Sequence, residues 1–132
     1  MPVKLAVDAV LIKIIKDKPH VLLIKRKKNP YIGMYALVGG KVETGESLES
    51  AIAREVKEEV GLTEVKFTKL HEFMNEAGWR SMAFLGEVQE ELEFFENKEV
   101  SGIRWIAFDE VPQLASNHNE MVEVAKKLLQ IS

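Results

Sequence analysis

Glu55, Glu58 and Glu59 stand three and four positions apart. On a helix that spacing puts side chains on one face, so their carboxylates come within reach of one another. Like charges gathered this closely repel, unless solvent and the neighbouring Arg54 and Lys57 offset them or a divalent cation holds them together. The segment that carries them, Gly39 to Leu62, reads GGKVETGESLESAIAREVKEEVGL: a glycine pair, a charged turn, then a helix-like run that stops at Gly61. An exposed amphipathic helix, with Arg54 and Glu58 as a four-apart ion pair, would account for these charges without any chemistry. A metal site would account for them with it.

The helix has its own start and stop signals. Ser47 can cap its N-terminus, Leu48 to Val60 contains few breakers, and Gly61 sits where a left-handed C-terminal cap is usual. At about 100° per residue, Ile52, Ala53, Val56 and Val60 fall on one side and the three glutamates beside it. The helix can therefore bury a stripe and carry carboxylates along its edge.

The rest of the chain must hold that helix. Val3 to Ile15 is rich in β-branched residues and ends at the turn signal Lys16-Asp17-Lys18-Pro19; His20 to Lys25 then resumes an apolar run, predicting two joined strands. Lys25 to Lys28 leads into Asn29-Pro30, where proline should end the strand. Tyr35 to Val38 predicts a short strand delivering the chain into Gly39 and Gly40, where glycine permits a close approach that a side chain would block. Glu64 to Phe73 and Arg80 to Val88 predict two further strands around a hairpin loop at Met74 to Trp79. Glu87 to Glu99, rich in glutamate and without periodicity, predicts a solvated loop. Ile103 to Phe108 predicts a strand, Asp109 to Pro112 a turn, and Asn119 to Gln130 a closing helix burying Met121, Val124, Ala125, Leu128 and Leu129. Strands before and after a central helix, with a terminal helix, predict a mixed β-sheet covered on both faces, an α/β or α+β sandwich.

Composition narrows the function classes. A chain of 132 residues, 46% hydrophobic and 30% charged, predicts one domain, residues 1–132, with a real core. Its net charge of -3 offers no general attraction for nucleic acid or acidic membranes, so a phosphate-bearing ligand must be held locally or through a metal. The absence of cysteine excludes disulfides, thiolate metal sites and cysteine nucleophiles. Lys4, Asp8 and Lys13 break the apolar start, no cleavage site follows, and no stretch reaches membrane-spanning length, so a cytoplasmic location is the expectation.

Gly40, Glu46, Arg54-Glu55-Val56, Glu58-Glu59 and Gly61-Leu62 together resemble the signature of the Nudix hydrolases at every defined position. That spacing shifts the weight from the solvated helix to the metal site. The resemblance implies an α/β/α sandwich and a loop–helix–loop holding Mg²⁺ or Mn²⁺ against a diphosphate attacked by water. Both ions favour oxygen ligands, bridge carboxylates to phosphate oxygens and lower the pKa of bound water. By the motif, Glu55, Glu58 and Glu59 would bind metal or, for one of them, act as general base, and Gly40 would offer its carbonyl. Arg54 would orient the glutamates, and Glu46 would stabilise the loop and pair with it. Val38 stands where many relatives have proline.

Many relatives take a further ligand or base from a loop before a tryptophan strand. Glu99, six residues before Trp105, is the candidate, with Glu96 and Glu93 competing. Arg26, Lys28 and Arg80 could meet a substrate phosphate, and Tyr31, Tyr35 or Trp79 could stack on a base. His20, His71 and His118 are widely spaced, and none is assigned a role.

The segments VDAVLI, LLIKRKKNPYIGMYAL and SNHNEMVEVAKKLL resemble the ADP-ribose pyrophosphatase branch, which implies hydrolysis of ADP-ribose or a related nucleotide sugar to AMP and ribose 5-phosphate. The alternative is a MutT-like nucleoside triphosphate pyrophosphohydrolase of the 8-oxo-dGTP type. A nucleotide-sugar sensor is a third reading; such regulators generally add a DNA-binding domain, for which the chain leaves no room, and the intact motif also argues against lost catalysis. The partner is then a small nucleotide rather than nucleic acid or membrane, and exposed apolar strand edges leave room for a homodimer.

Overall fold

The computed structural model describes residues 4–131; of the expected first strand, Val3 lies outside them. The β-branched run forms β1, Lys4–Ile15. Its alternation divides the molecule, with Val7, Ala9 and Leu11 facing one core and Val10 the other, as a period of two requires. A tight turn at Lys16 and Asp17, both at positive φ, returns the chain as β2, Lys18–Arg26. Both left-handed turn residues suit a two-residue hairpin. Pro19 is consequently in the strand, opposite Ile14, and not in the turn.

One edge of β1 is shared by two partners. Ile12 to Ile15 pair with β2, whereas Ala6 to Ala9 pair with β4, Val38–Lys41. Beyond β1, β2 continues against β3, Tyr35–Ala36, and against β7, Val100–Ala107. The other edge of β1 takes β6, Trp79–Glu87, in a parallel pairing, and β6 takes β5, Phe67–Met74, as an antiparallel hairpin. These form one mixed sheet of seven strands. Because β2 and β4 occupy different halves of one edge, they diverge, and a notch opens beside the glycine pair.

The helices cover opposite faces. α1, Leu48–Val60, is capped as expected: Ser47 Oγ accepts from the Ser50 N–H at 3.0 Å, and Gly61 closes the helix at φ 74. Its buried Ala51, Ile52, Val56 and Val60 join Val7, Ala9, Leu11 and Phe84. Ala53 is exposed, with Ala51 in the stripe instead. α2, His118–Leu129, buries Met121, Val122 and Ala125 against Val10, Leu23 and Ala83. Val122 thus takes the fully buried place expected of Val124, and Leu128 is 60% exposed. Periodicity defines a stripe's width, but docking against the sheet sets its rotation. Among the described residues no helix is long and apolar enough to cross a membrane.

Two segments depart from expectation near the notch. Tyr35 to Val38 is not one strand: Leu37 leaves the sheet, its N–H donating to His118 Nδ1 at 3.0 Å, and the glycine pair lies inside β4. The stretch from Val88 to Glu99 has no regular structure, yet it is not simply solvated. Val88 is buried, Leu92 and Phe94 pack on the α1 core, and Asn97 Nδ2 donates to the Glu59 carbonyl at 3.1 Å. The fifth strand begins at Phe67, three residues later than the expected Glu64.

Candidate functional site

The turn before α1 is latched by Arg54. Its Nε and Nη2 donate to the two Glu46 carboxylate oxygens at 2.7 and 2.9 Å, a fork-on-fork pair. Nη2 also reaches the Lys41 carbonyl at 2.9 Å, while Nη1 reaches Glu55 Oε1 at 2.8 Å and Glu58 Oε2 at 3.3 Å. Glu46 in turn accepts from the Glu43 N–H at 3.0 Å, closing the loop on itself. The hydrogen bond from Arg54, foremost, holds the Glu46 carboxyl down at about 2. The same contact raises the guanidinium above its already high value.

Glu55 and Glu59 project from α1 toward β4 and are buried, 7% and 4% exposed. A side chain on Gly40 would collide with the Glu55 carboxylate, so only glycine lets β4 come this close. The Gly39 N–H donates to Glu59 Oε2 at 3.2 Å. Glu99 approaches from the other side of the notch, just before β7. Its backbone is fixed by Asn97, whose Oδ1 accepts from the N–H groups of Glu99 and Val100 while Nδ2 holds the end of α1. One carboxylate oxygen from each of Glu55, Glu59 and Glu99 then lies within 4.8 Å of the other two.

Charge is the unresolved quantity in this trio. Among the described residues no lysine or arginine pairs with Glu59. Burial pushes its carboxyl well above the ordinary value, and the hydrogen bond to Glu55 and the charges of Glu55, Glu99 and Asp8 push further. Burial also raises Glu55, against the pull of Glu59 and Arg54. Three oxygen-only ligands with excess negative charge, Glu55 and Glu59 buried and Glu99 exposed, suit a hard divalent cation, whose binding would displace the protons that burial retains. The residues present fit Mg²⁺ or Mn²⁺.

The trio forms one wall of a cleft of about 690 Å³. Glu43, Arg54 and Glu58 continue that wall; Arg26, Lys28, Lys41 and Trp79 lie around the rest. Glu58, with a side chain 58% exposed, stands outside the trio. Arg26 is steadied by the Pro30 carbonyl at 2.8 Å, and Lys28 reaches Glu99 at 3.3 Å. Lys4 and Lys41 place their ammonium groups 5.7 and 5.5 Å from the Trp79 ring centre, within cation–π range.

Gly40, Glu46, Arg54, Glu55, Glu58, Glu59, Glu99 and Arg26 are therefore brought to one place. Arg80, Tyr35, Glu96 and Tyr31 are not. Arg80 donates through Nε and Nη2 to Glu72 on the adjacent strand and does not line the cleft. Tyr35 packs on the α2-side core and lines a separate cavity with His20 and Trp105. Neighbours along a strand face opposite ways, which separates Arg80 from Trp79. Glu96 is drawn off by Lys27 at 2.6 Å, and Tyr31 borders another cavity. Lys41 and Asp8 went unmarked in the sequence. Asp8, alone among apolar residues in AVDAVLI, is the kind of buried-polar signal that could have singled it out.

A family model described as the NUDIX domain matches residues 4–128. The chain is 57% identical over 49 residues to the ADP-ribose pyrophosphatase of Methanocaldococcus jannaschii, a stretch covering 37% of this chain and 29% of that protein. It spans less than half the length of the first curated relatives it matches. The structure resembles the NUDIX domain of Shewanella oneidensis NrtR complexed with ADP ribose, with a TM-score of 0.86 at 24% identity, covering 98% of this chain and 90% of that one. A MutT NUDIX hydrolase from Burkholderia pseudomallei has a TM-score of 0.76 at 30% identity, covering 91% and 95% of the two chains.

Proposed function

The chain belongs to the Nudix family, and from that premise we propose that it hydrolyses a diphosphate bond in a nucleoside diphosphate derivative, ADP-ribose being the substrate read first. The observation that carries the reading is the Glu55–Glu59–Glu99 trio, two buried carboxylates and an exposed one, which lacks a full complement of protein cations and faces a cleft with Arg26, Lys28 and Lys41 around it. Residues 1–132 are taken as one catalytic domain.

Glu55, Glu59 and Glu99 would hold Mg²⁺ or Mn²⁺, with the Gly40 carbonyl beside them. When bound, the cation neutralises diphosphate charge and lowers the pKa of the attacking water. Arg26, Lys28 and Lys41 hold and orient the phosphates, which removes much of the entropic cost of bringing water and phosphorus together. Glu58, on the cleft wall but outside the trio, is left to take the proton from that water. Arg54 acts through others, fixing Glu46 and the loop while bridging Glu55 and Glu58 through Nη1.

ADP-ribose is supported by the 57% identity over 49 residues to an archaeal ADP-ribose pyrophosphatase. The 30% likeness to a MutT hydrolase over nearly the whole chain supports a second reading, pyrophosphohydrolysis of a nucleoside triphosphate. Incubation with Mg²⁺ and a panel of ADP-ribose, nucleoside triphosphates and dinucleoside polyphosphates separates them. AMP with ribose 5-phosphate supports the first; a nucleoside monophosphate with pyrophosphate supports the second. No phosphorus-containing product from any member would remove hydrolysis altogether.

A further inference from the structure

The glycine pair is flanked on its other side by a buried polar group that the proposed reaction does not use. Gly39 pairs with Asp8 across the β1–β4 ladder, and a side chain at Gly39 would collide with the Asp8 carboxylate and the Val7 carbonyl. β4 is therefore held between two sets of carboxylates, Glu55 and Glu59 toward α1 and Asp8 toward α2. Asp8 is 7% exposed. Among the described residues its partners are the Ser81 hydroxyl, which donates to Oδ2, and His118, whose Nε2 lies 3.3 Å from Oδ1.

His118 is the first residue of α2, and it binds at two points. Nδ1 is 3.0 Å from the Leu37 N–H. A backbone amide can only donate, so Nδ1 must present its lone pair and the ring proton belongs on Nε2, toward Asp8. Leu37 is 1% exposed and sits at the break between β3 and β4. Without the imidazole its amide would be buried and unsatisfied, a costly state. A second bond, from the Ala115 N–H to the Tyr35 carbonyl at 2.9 Å, docks the lead-in of α2 on the same segment.

We infer that His118 is a positioning residue of the site: by holding the Leu37 amide through Nδ1 and facing Asp8 through Nε2, it seats β4 so that Gly39 and Gly40 meet Glu59 and Glu55. It touches neither substrate nor cation. The inference rests on the metal-site reading above, and α2 becomes the back support of a site whose ligands all come from other elements.

The test compares wild type with His118→Ala, His118→Asn and His118→Gln, using Mn²⁺ affinity, kcat and KM, and the exchange rate of the Leu37 amide. Asparagine can place an acceptor where Nδ1 was and keep the Leu37 bond; glutamine can place a donor toward Asp8. His118→Ala should weaken Mn²⁺ binding by about tenfold or more, as loss of a supporting partner does. It should also lower kcat more than it changes KM and speed exchange at Leu37. His118→Asn should recover most of the loss, and His118→Gln less. Wild-type affinity and kcat in a folded His118→Ala, or equal losses for alanine and asparagine, would overturn the inference. Should the alanine variant not fold, the wild-type ring is decisive: nitrogen NMR must find Nδ1 unprotonated, and a proton there overturns the proposal. If wild type neither binds Mn²⁺ nor hydrolyses any substrate, the metal-site reading has failed, while the ring tautomer still judges the link to Leu37.

Discussion

At the scale of single residues, the site combines crowded carboxylates with places where no side chain fits. Glu59 has the least water of the trio and, among the described residues, no basic partner, so its charge depends most on a cation. Glu59→Gln removes an anionic ligand with little change of volume. Its turnover should fall by more than the roughly 10–100-fold typical of losing an outer partner, with an unchanged circular dichroism spectrum; near-normal kcat would remove Glu59 from the ligand set. Gly40→Ala tests the opposite constraint. A methyl group there meets the Glu55 carboxylate, so Mn²⁺ affinity should drop, and a titration indistinguishable from wild type would show that β4 can give way. These residues were legible because the motif fixes their spacing. Arg80 and Tyr35 lie away from the cleft, and the sequence cannot show it, because a charge or a ring in a strand says nothing about its face until the register is known.

At the scale of elements, α1 has to present carboxylates on one edge while staying fixed against the sheet. Capping and the Arg54 latch serve different parts of that task. Ser47→Ala removes only the side-chain bond to the Ser50 N–H and should cost about 1 kcal/mol of stability. kcat should stay close to wild type, because Arg54 still closes the loop; chemical denaturation and steady-state kinetics measure the two separately. A large fall in kcat would mean that the cap also aligns the glutamates. The ends of α1 were readable because caps are local. The glutamate-rich stretch before β7 is legible as a loop but not in its packing, for the converse reason: its anchors, Asn97 on the Glu59 carbonyl and Leu92 and Phe94 on the α1 core, are distant in sequence and carry no periodic pattern.

At the scale of the whole molecule, the site couples metal binding, protonation and stability. Glu59 and Glu55 are raised in the folded chain, so between the ordinary glutamate value and their folded values the native state holds more protons than the unfolded one. Stability of the metal-free protein must therefore fall as pH rises through that window. Glu46 has the opposite sign, and its contribution is lost as pH falls from 4.5 toward about 2. Melting temperatures across pH should thus show a decline toward neutral pH in chelator that Mn²⁺ abolishes; equal slopes with and without Mn²⁺ would contradict the coupling. The amino-acid order alone specifies the capped helix, its carboxylates and the loop before it, because local geometry follows from spacing within a few turns. It also determined that strands must sandwich between two helices, because the apolar patterns leave faces that need covering. That Glu99 joins the trio, that Arg80 turns to Glu72, and that Asp8 and His118 stand behind the glycine pair emerges only in the folded chain. Those facts depend on strand register and helix rotation, which are set by contacts between residues far apart in the chain.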